Sequence, residues 1–126
     1  MQPTGIKLHR KSRTLEITWG EHSCSLSAEY LRVFSPSAEV TGHGPGQEVL
    51  QLNKEHVAIE GIEAQGNYAI KLLFSDGHDS GIYSWSYLKS LAEQQEQNWQ
   101  DYQTRIAEHL RQEEQAETSP VKWIDP

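Results

Sequence analysis

Residues 68–91 read YAIKLLFSDGHDSGIYSWSYLKSL, and two different periods meet inside them. Tyr68 to Phe74 is a nearly continuous apolar run of the length and residue type of a buried strand. Asp76-Gly77 then supplies a turn, and Gly81-Ile82-Tyr83 reads as a returning strand. At Ser84 the spacing of large apolar residues changes from two to about three and a half. Trp85, Leu88, Leu91, Gln95, Trp99, Tyr102, Ile106 and Leu110 form one helical stripe, with Ser84 placed to cap it. No breaker occurs before Pro120, so the spacing predicts one helix of about six or seven turns. Its first half is apolar enough to pack on a sheet. Its second half is mostly Gln and Glu, so Trp99, Tyr102 and Ile106 need a partner surface, from the sheet or from another protein.

Upstream of this stretch the chain is strand-like. Ile6-Lys7-Leu8 and Leu15-Glu16-Ile17-Thr18-Trp19 alternate apolar and polar and predict a hairpin, followed by a third strand over Ser23 to Ser27 with Cys24 and Leu26 on one face. Ser27 begins a short capped helical turn, Ala28 to Arg32, which Ser35-Pro36-Ser37 ends because proline lacks an N–H. Gly42-His43-Gly44-Pro45-Gly46 is a loop. Val57 to Ala64 alternates again, with a slip near Gly61, and Gly66-Asn67 turns it into the strand at Tyr68. The expected fold is α+β: a small, mostly antiparallel sheet of about five to six short strands with a long C-terminal helix packed on it. Residues 1–111 are expected to form this domain, and 112–126 a disordered acidic tail in which Val121 to Ile124 is a possible sticky end.

At 126 residues, 36% of them apolar, the chain has the size of one domain whose four Trp, five Tyr and two Phe can anchor a small aromatic core. Cys24 stands alone, which excludes a disulfide framework within the chain and fits a reducing, cytoplasmic setting; it reads as a half-buried strand residue. No apolar run approaches the ~20 residues of a membrane span, and the first residues lack a signal-peptide core. A net charge of −7 disfavours nucleic acid as a partner. The charge is uneven. Residues 1–20 hold four bases (Lys7, Arg10, Lys11, Arg13) and one acid, whereas residues 93–126 hold eight acids and three bases. Charge runs usually mark exposed surface, so Arg10-Lys11-Ser12-Arg13 reads as a solvated turn.

Three patterns touch on chemistry and fall short of it. Gly42-x-Gly44-x-Gly46 has the glycine spacing of a phosphate loop, but no Lys-Ser/Thr follows and Pro45 removes an amide. Ser86-Tyr87-Leu88-Lys89 matches S-x-x-K without its partner motifs. The six histidines (His9, His22, His43, His56, His78, His109) include no two at a helical ligand spacing from each other and read as surface residues.

Three segments in combination resemble the γ-butyrobetaine hydroxylase-like N-terminal domain family, over about Gly5 to Leu91. They are Leu31-Arg32-Val33-Phe34-Ser35-Pro36-Ser37-Ala38-Glu39-Val40, the loop Gly42 to Gln47, and Phe74 to Leu88. In the hydroxylases this domain precedes an iron- and 2-oxoglutarate-dependent jelly roll and holds a structural zinc through one His and three Cys, the thiolates lying in a Leu-Arg-x-x-Cys-x-Cys-x-x-Cys run. Here Ser35, Ser37 and Val40 stand at the thiolate places, while His78 stands at the histidine place. One imidazole and two hydroxyls do not replace soft, deprotonated ligands, so no structural zinc, no cofactor and no hydroxylase activity are expected.

By elimination, the expected role is that of a non-enzymatic binding or adaptor module with an unidentified protein partner and with neither nucleic acid nor membrane. Its face would combine Arg32, Ser35, Ser37, Glu39, His43 and Gln47 with Asp76 and His78, and Trp99 and Tyr102 would offer a second, apolar surface. The chain is expected to be a monomer or a weak homodimer through the C-terminal helix. Related domains also accompany some P-loop ATPases of iron–sulfur assembly. The alternative is therefore a metal-handling accessory protein binding iron or zinc weakly through His78, His43 and a carboxylate.

Overall fold

The computed structural model describes residues 2–42, 44 and 46–118. The chain divides into two compact units, 1–95 and 96–126, each described by itself.

In the first unit β1 (Gly5–His9), β2 (Thr14–Trp19) and β3 (His22–Ser27) form an antiparallel meander. Its register places Leu15 opposite Leu26 and Ile17 opposite Cys24. Because side chains alternate along a strand, Leu15, Ile17 and Leu26 reach 0% exposure on one face while Thr14, Glu16 and Thr18 line the other. Cys24 is half-buried, and burial raises its thiol pKa against the opposite pull of Lys89.

After α1 (Ala28–Val33) and α2 (Ala38–Thr41), a second antiparallel meander follows: β4 (Ile59–Gln65), β5 (Ala69–Phe74) and β6 (Ile82–Ser84). The slip seen at Gly61 is a register shift between Ile59 and Gly61, where the Gly61 hydrogen lets Leu73 approach: a Cβ there would lie 3.0 Å from Leu73 Cδ1. The described strands thus form two three-stranded sheets instead of the single sheet expected. The described residues between β3 and β4 enter no strand, and among the described residues no hydrogen-bonded ladder joins the two sheets.

The first unit closes around α1, whose sequence supplies its own N-terminal acceptor: Ser27 Oγ takes the Tyr30 amide at 3.0 Å. Its last carbonyls are taken by tyrosines brought from far along the chain, Tyr83 OH donating to Leu31 O and Tyr87 OH to Phe34 O. Burial raises both hydroxyls, that of Tyr87 to about 12, so they remain donors at neutral pH. Tyr30 OH in turn donates to Leu91 O at 2.7 Å, tying α1 to α3 (Trp85–Glu93). α3 is capped by Ser84 as expected and buries Leu88 and Leu91.

The apolar stripe does not run through one helix. Gln94, at φ −109° and ψ 21°, ends α3, and α4 (Gln95–Thr118) begins after it. The interruption falls between Leu91 and Trp99, where the stripe offers only Gln95 and burial does not hold the turns in line. α4 belongs almost wholly to the second unit and continues to Thr118, so the acidic segment expected to begin at residue 112 starts inside a helix. Residues 119–126, with the Val121 to Ile124 segment, lie outside the described residues.

Candidate functional site

The candidate residues of the first unit converge where α1 ends. Past Phe34 the backbone is turned by Pro36, and Ser37 caps α2 by accepting the Glu39 amide at 3.1 Å. This four-residue helix has no apolar period to announce it, yet it buries Val40 and fixes the direction of Glu39. Opposite it, the Asp76-Gly77 turn closes with Gly77 N donating to Phe74 O and Phe74 N to His78 O, both at 3.0 Å, and delivers His78 to Ser35.

Ser35 Oγ lies 2.8 Å from His78 Nε2 and also accepts the Ser37 amide at 3.3 Å. The direction of the first bond follows the ring tautomer, Nε2 accepting from Ser35 Oγ when the ring proton sits on Nδ1. That nitrogen faces Glu39 Oε2 at 3.5 Å, while Glu39 Oε1 takes a hydrogen bond from Ser80 Oγ at 3.3 Å. Ser80 Oγ also lies 3.1 Å from Ser37 Oγ. Ser35 is 1%, Ser37 5% and His78 6% exposed. Burial, and then the Arg32 guanidinium, lower the His78 pKa against the opposite pull of Glu39 and Asp76, so the ring is neutral at pH 7. Gly81 backs the cluster: a Cβ there would collide with Ser35 Oγ and stand 3.3 Å from the Tyr83 ring and 3.4 Å from Pro36.

A second knot lies beside it. Arg32, 7% exposed, donates through Nε to Asp76 Oδ2 at 2.8 Å and through Nη1 to Gln51 Oε1 at 2.9 Å. Lys54 Nζ reaches the same carboxylate oxygen at 2.7 Å, and the His78 amide donates to Asp76 Oδ1 at 3.2 Å. Burial alone would raise the Asp76 carboxyl, but the hydrogen bonds from Lys54, the His78 amide and Arg32 outweigh it and hold its pKa at about 2.

Arg32, Ser35, Ser37, Glu39, Asp76 and His78 are thus brought together. Gln47 is exposed and closes the loop from Gly42, whose φ of +76° and contact with the Gln47 carbonyl leave no room for a side chain. His43 lies outside the described residues. Trp99 and Tyr102 belong to the second unit, where their rings stack at 5.1 Å between centroids and 33° between planes. The sequence points to Ser80 only as the end of the Asp76–Ser80 turn of the expected face, and not to Gln51, Lys54 or Gly81 as site residues. Ser80 and Gly81 sit inside a segment already singled out, whereas Gln51 and Lys54 lie in a loop without period or motif. The S-x-x-K pair has other employment, Lys89 Nζ lying 4.7 Å over the Trp19 ring and Ser86 Oγ 3.2 Å from Ser84 Oγ.

The donor set does not suit zinc. Two ligands on one tetrahedral zinc stand about 3.3 Å apart at bond lengths near 2.0–2.1 Å. Here Ser35 Oγ and His78 Nε2 are at hydrogen-bonding distance, 2.8 Å, and the third place is the aliphatic Val40. Among the described residues no three His, Cys, Asp or Glu side chains gather in a metal-binding group. Ser35, His78 and Glu39 do fall in the order nucleophile, base, carboxylate. Ser35, at 1% exposure, lies beneath the surface, so its Oγ is not open to solvent.

The chain was compared with known proteins. A protein whose solution structure was determined by NMR is 51% identical, with a TM-score of 0.74 and 84% of each chain covered. A second NMR structure is 50% identical with a TM-score of 0.74, covering 86% of this chain and 81% of that one. A crystal structure of a protein with unknown function, of the DUF971 family, from Acidithiobacillus ferrooxidans is 37% identical, with a TM-score of 0.60 over 72% of this chain and 92% of that one. No curated protein sequence matches significantly. The profile of one family matches residues 6–89, the span that contains both meanders, the serine run and His78, and the chain belongs to that family, γ-butyrobetaine hydroxylase-like, N-terminal.

Proposed function

We propose that this chain is a non-catalytic protein-binding module of the cytoplasm, in which the relay Ser35–His78–Glu39 braces a recognition face. One observation carries this reading: the Glu39 side chain is 73% exposed, with Oε2 3.5 Å from Nδ1 of His78, 3% exposed in its side chain, and Oε1 accepting from Ser80 Oγ at 3.3 Å. A polar group fixed in this way loses little freedom on meeting a partner, which is how preorganised contacts gain affinity. Glu39 and Gln47 supply contacts, while Arg32, Ser35, Ser37, Asp76 and His78 hold them in place. Metal handling through His78 is the weaker reading, because both ring nitrogens already face protein partners, at 2.8 Å and 3.5 Å.

The test is affinity capture from the cells of origin with the full chain, wild type against Glu39→Lys, after amide NMR spectra show that both are folded. A protein retained by the wild type and lost by the variant supports the reading; equal retention by both overturns it. Zinc or iron(II) titration separates the alternative, since metal handling requires the His78 ring signals to shift at submillimolar ion.

A further inference from the structure

We propose that the turn of the β1–β2 hairpin is a second contact surface, a cationic tip that docks on a carboxylate-rich segment of a partner protein. This does not rest on the face around Glu39. Arg10, Lys11 and Arg13 are all exposed, with Lys7 on the adjoining strand, in a chain of net charge −7. Among the described residues none of these four cations forms an ion pair, and their one polar side-chain contact is Arg10 Nη2 to the Glu60 carbonyl at 3.4 Å. The nearest carboxylate on the hairpin, Glu16, faces Lys7 across the strands but is held by His9 at 2.8 Å, so the charge at the turn stays uncompensated.

The turn is also held rigid at a conformational cost. Arg13 sits at φ +55°, a left-handed conformation that glycine adopts freely and arginine does not. The Ala28 amide bonds Arg13 O at 2.8 Å, and Ser12 Oγ lies 2.9 Å from Thr14 Oγ1, fixing the backbone on both sides. A cation kept where glycine would be easier, its carbonyl tied to the Ala28 amide, points to use of the charge. Carboxylates on a short segment suit three or four clustered cations. A long polyphosphate draws its affinity from many neutralised phosphates and, beyond the hairpin, would meet an acidic chain.

The test uses the full chain and a short Asp/Glu peptide as probe, followed by amide NMR at about 20 mM and about 200 mM salt. Shifts confined to residues 7–14 that weaken about tenfold at the higher salt, and vanish in Arg10→Gln/Lys11→Gln while the rest of the spectrum is kept, support the proposal. Absence of shifts at low salt, shifts elsewhere, or tighter binding of a single-stranded oligonucleotide or anionic vesicles overturns it. Arg13→Gly separates charge from backbone: weaker peptide binding with an unchanged or higher thermal midpoint supports the proposal, and a lowered midpoint refutes the strain on which it partly stands.

Discussion

Replacing Ser35 by Ala removes one oxygen and leaves two buried groups without partners. His78 Nε2 loses its neighbour at 2.8 Å and the Ser37 amide loses its acceptor at 3.3 Å, in a place where Ser35 is 1% exposed and water cannot step in. A buried polar group left unsatisfied costs about 1–3 kcal/mol, and the longer amide bond contributes least, so the expected loss is about 2–3 kcal/mol. At about 4–8 °C per kcal/mol for a unit of this size, the thermal midpoint should fall by roughly 8–24 °C. Urea unfolding at pH 7.5, followed by tryptophan fluorescence, measures the loss, and an unchanged slope with denaturant shows that the same surface is exposed. His78→Phe and the double variant complete a cycle, for which a coupling of about 1 kcal/mol or more is expected if the two side chains act as a pair. A loss below about 0.5 kcal/mol, or single-variant losses that simply add, would show that the relay is not what braces the site.

Other consequences follow from the same contacts. The folded His78 pKa lies below its ordinary value, so the unfolded chain takes up a proton first; stability should be complete above about pH 6.5 and decline as pH falls toward the folded value, a decline that His78→Phe removes in pH-dependent urea titrations. The Asp76 carboxyl, held at about 2, likewise stabilises the fold above about pH 4 and loses that contribution between there and pH 2, worth about 1–2 kcal/mol after allowing for its partial exposure. Asp76→Asn leaves Arg32, 7% exposed, without its counter-charge and should cost about 2–4 kcal/mol in the same assay at pH 7, against less than about 1 kcal/mol for Lys54→Met at the solvent side. Gly81→Ala drives a methyl into Ser35 Oγ, with Pro36 and Tyr83 closing the other directions, and should cost at least about 2 kcal/mol and shift the His78 ring signals.

Alternation along β1, β2 and β5, the glycine turns, and the serine caps of α1 and α3 were legible because each is a local preference carried by neighbouring residues. Val40 at a thiolate place and His78 at the histidine place were legible too, through the family pattern. Three things were not. The division of the strands into two sheets depends on which edges are left unpaired, a choice between distant segments. The break at Gln94 occurs among residues that all favour helix, so only the loss of burial between Leu91 and Trp99 distinguishes it. α2 is too short for any period to mark it.

Residue identity by itself determined the α+β class, the apolar faces and the acidic balance, since these follow from composition and from contacts within a few positions. Only the tertiary structure decided which buried polar side chains pair with one another. Ser35 and His78 are separated by 43 positions, and Arg32 and Asp76 by 44, so nothing local dictates that they meet. They meet because tyrosines from β6 and α3 pin the carbonyls at the end of α1. Once α1 and the Asp76–Ser80 turn lie side by side, every buried hydroxyl, imidazole and guanidinium between them needs a partner, and each finds it in the others.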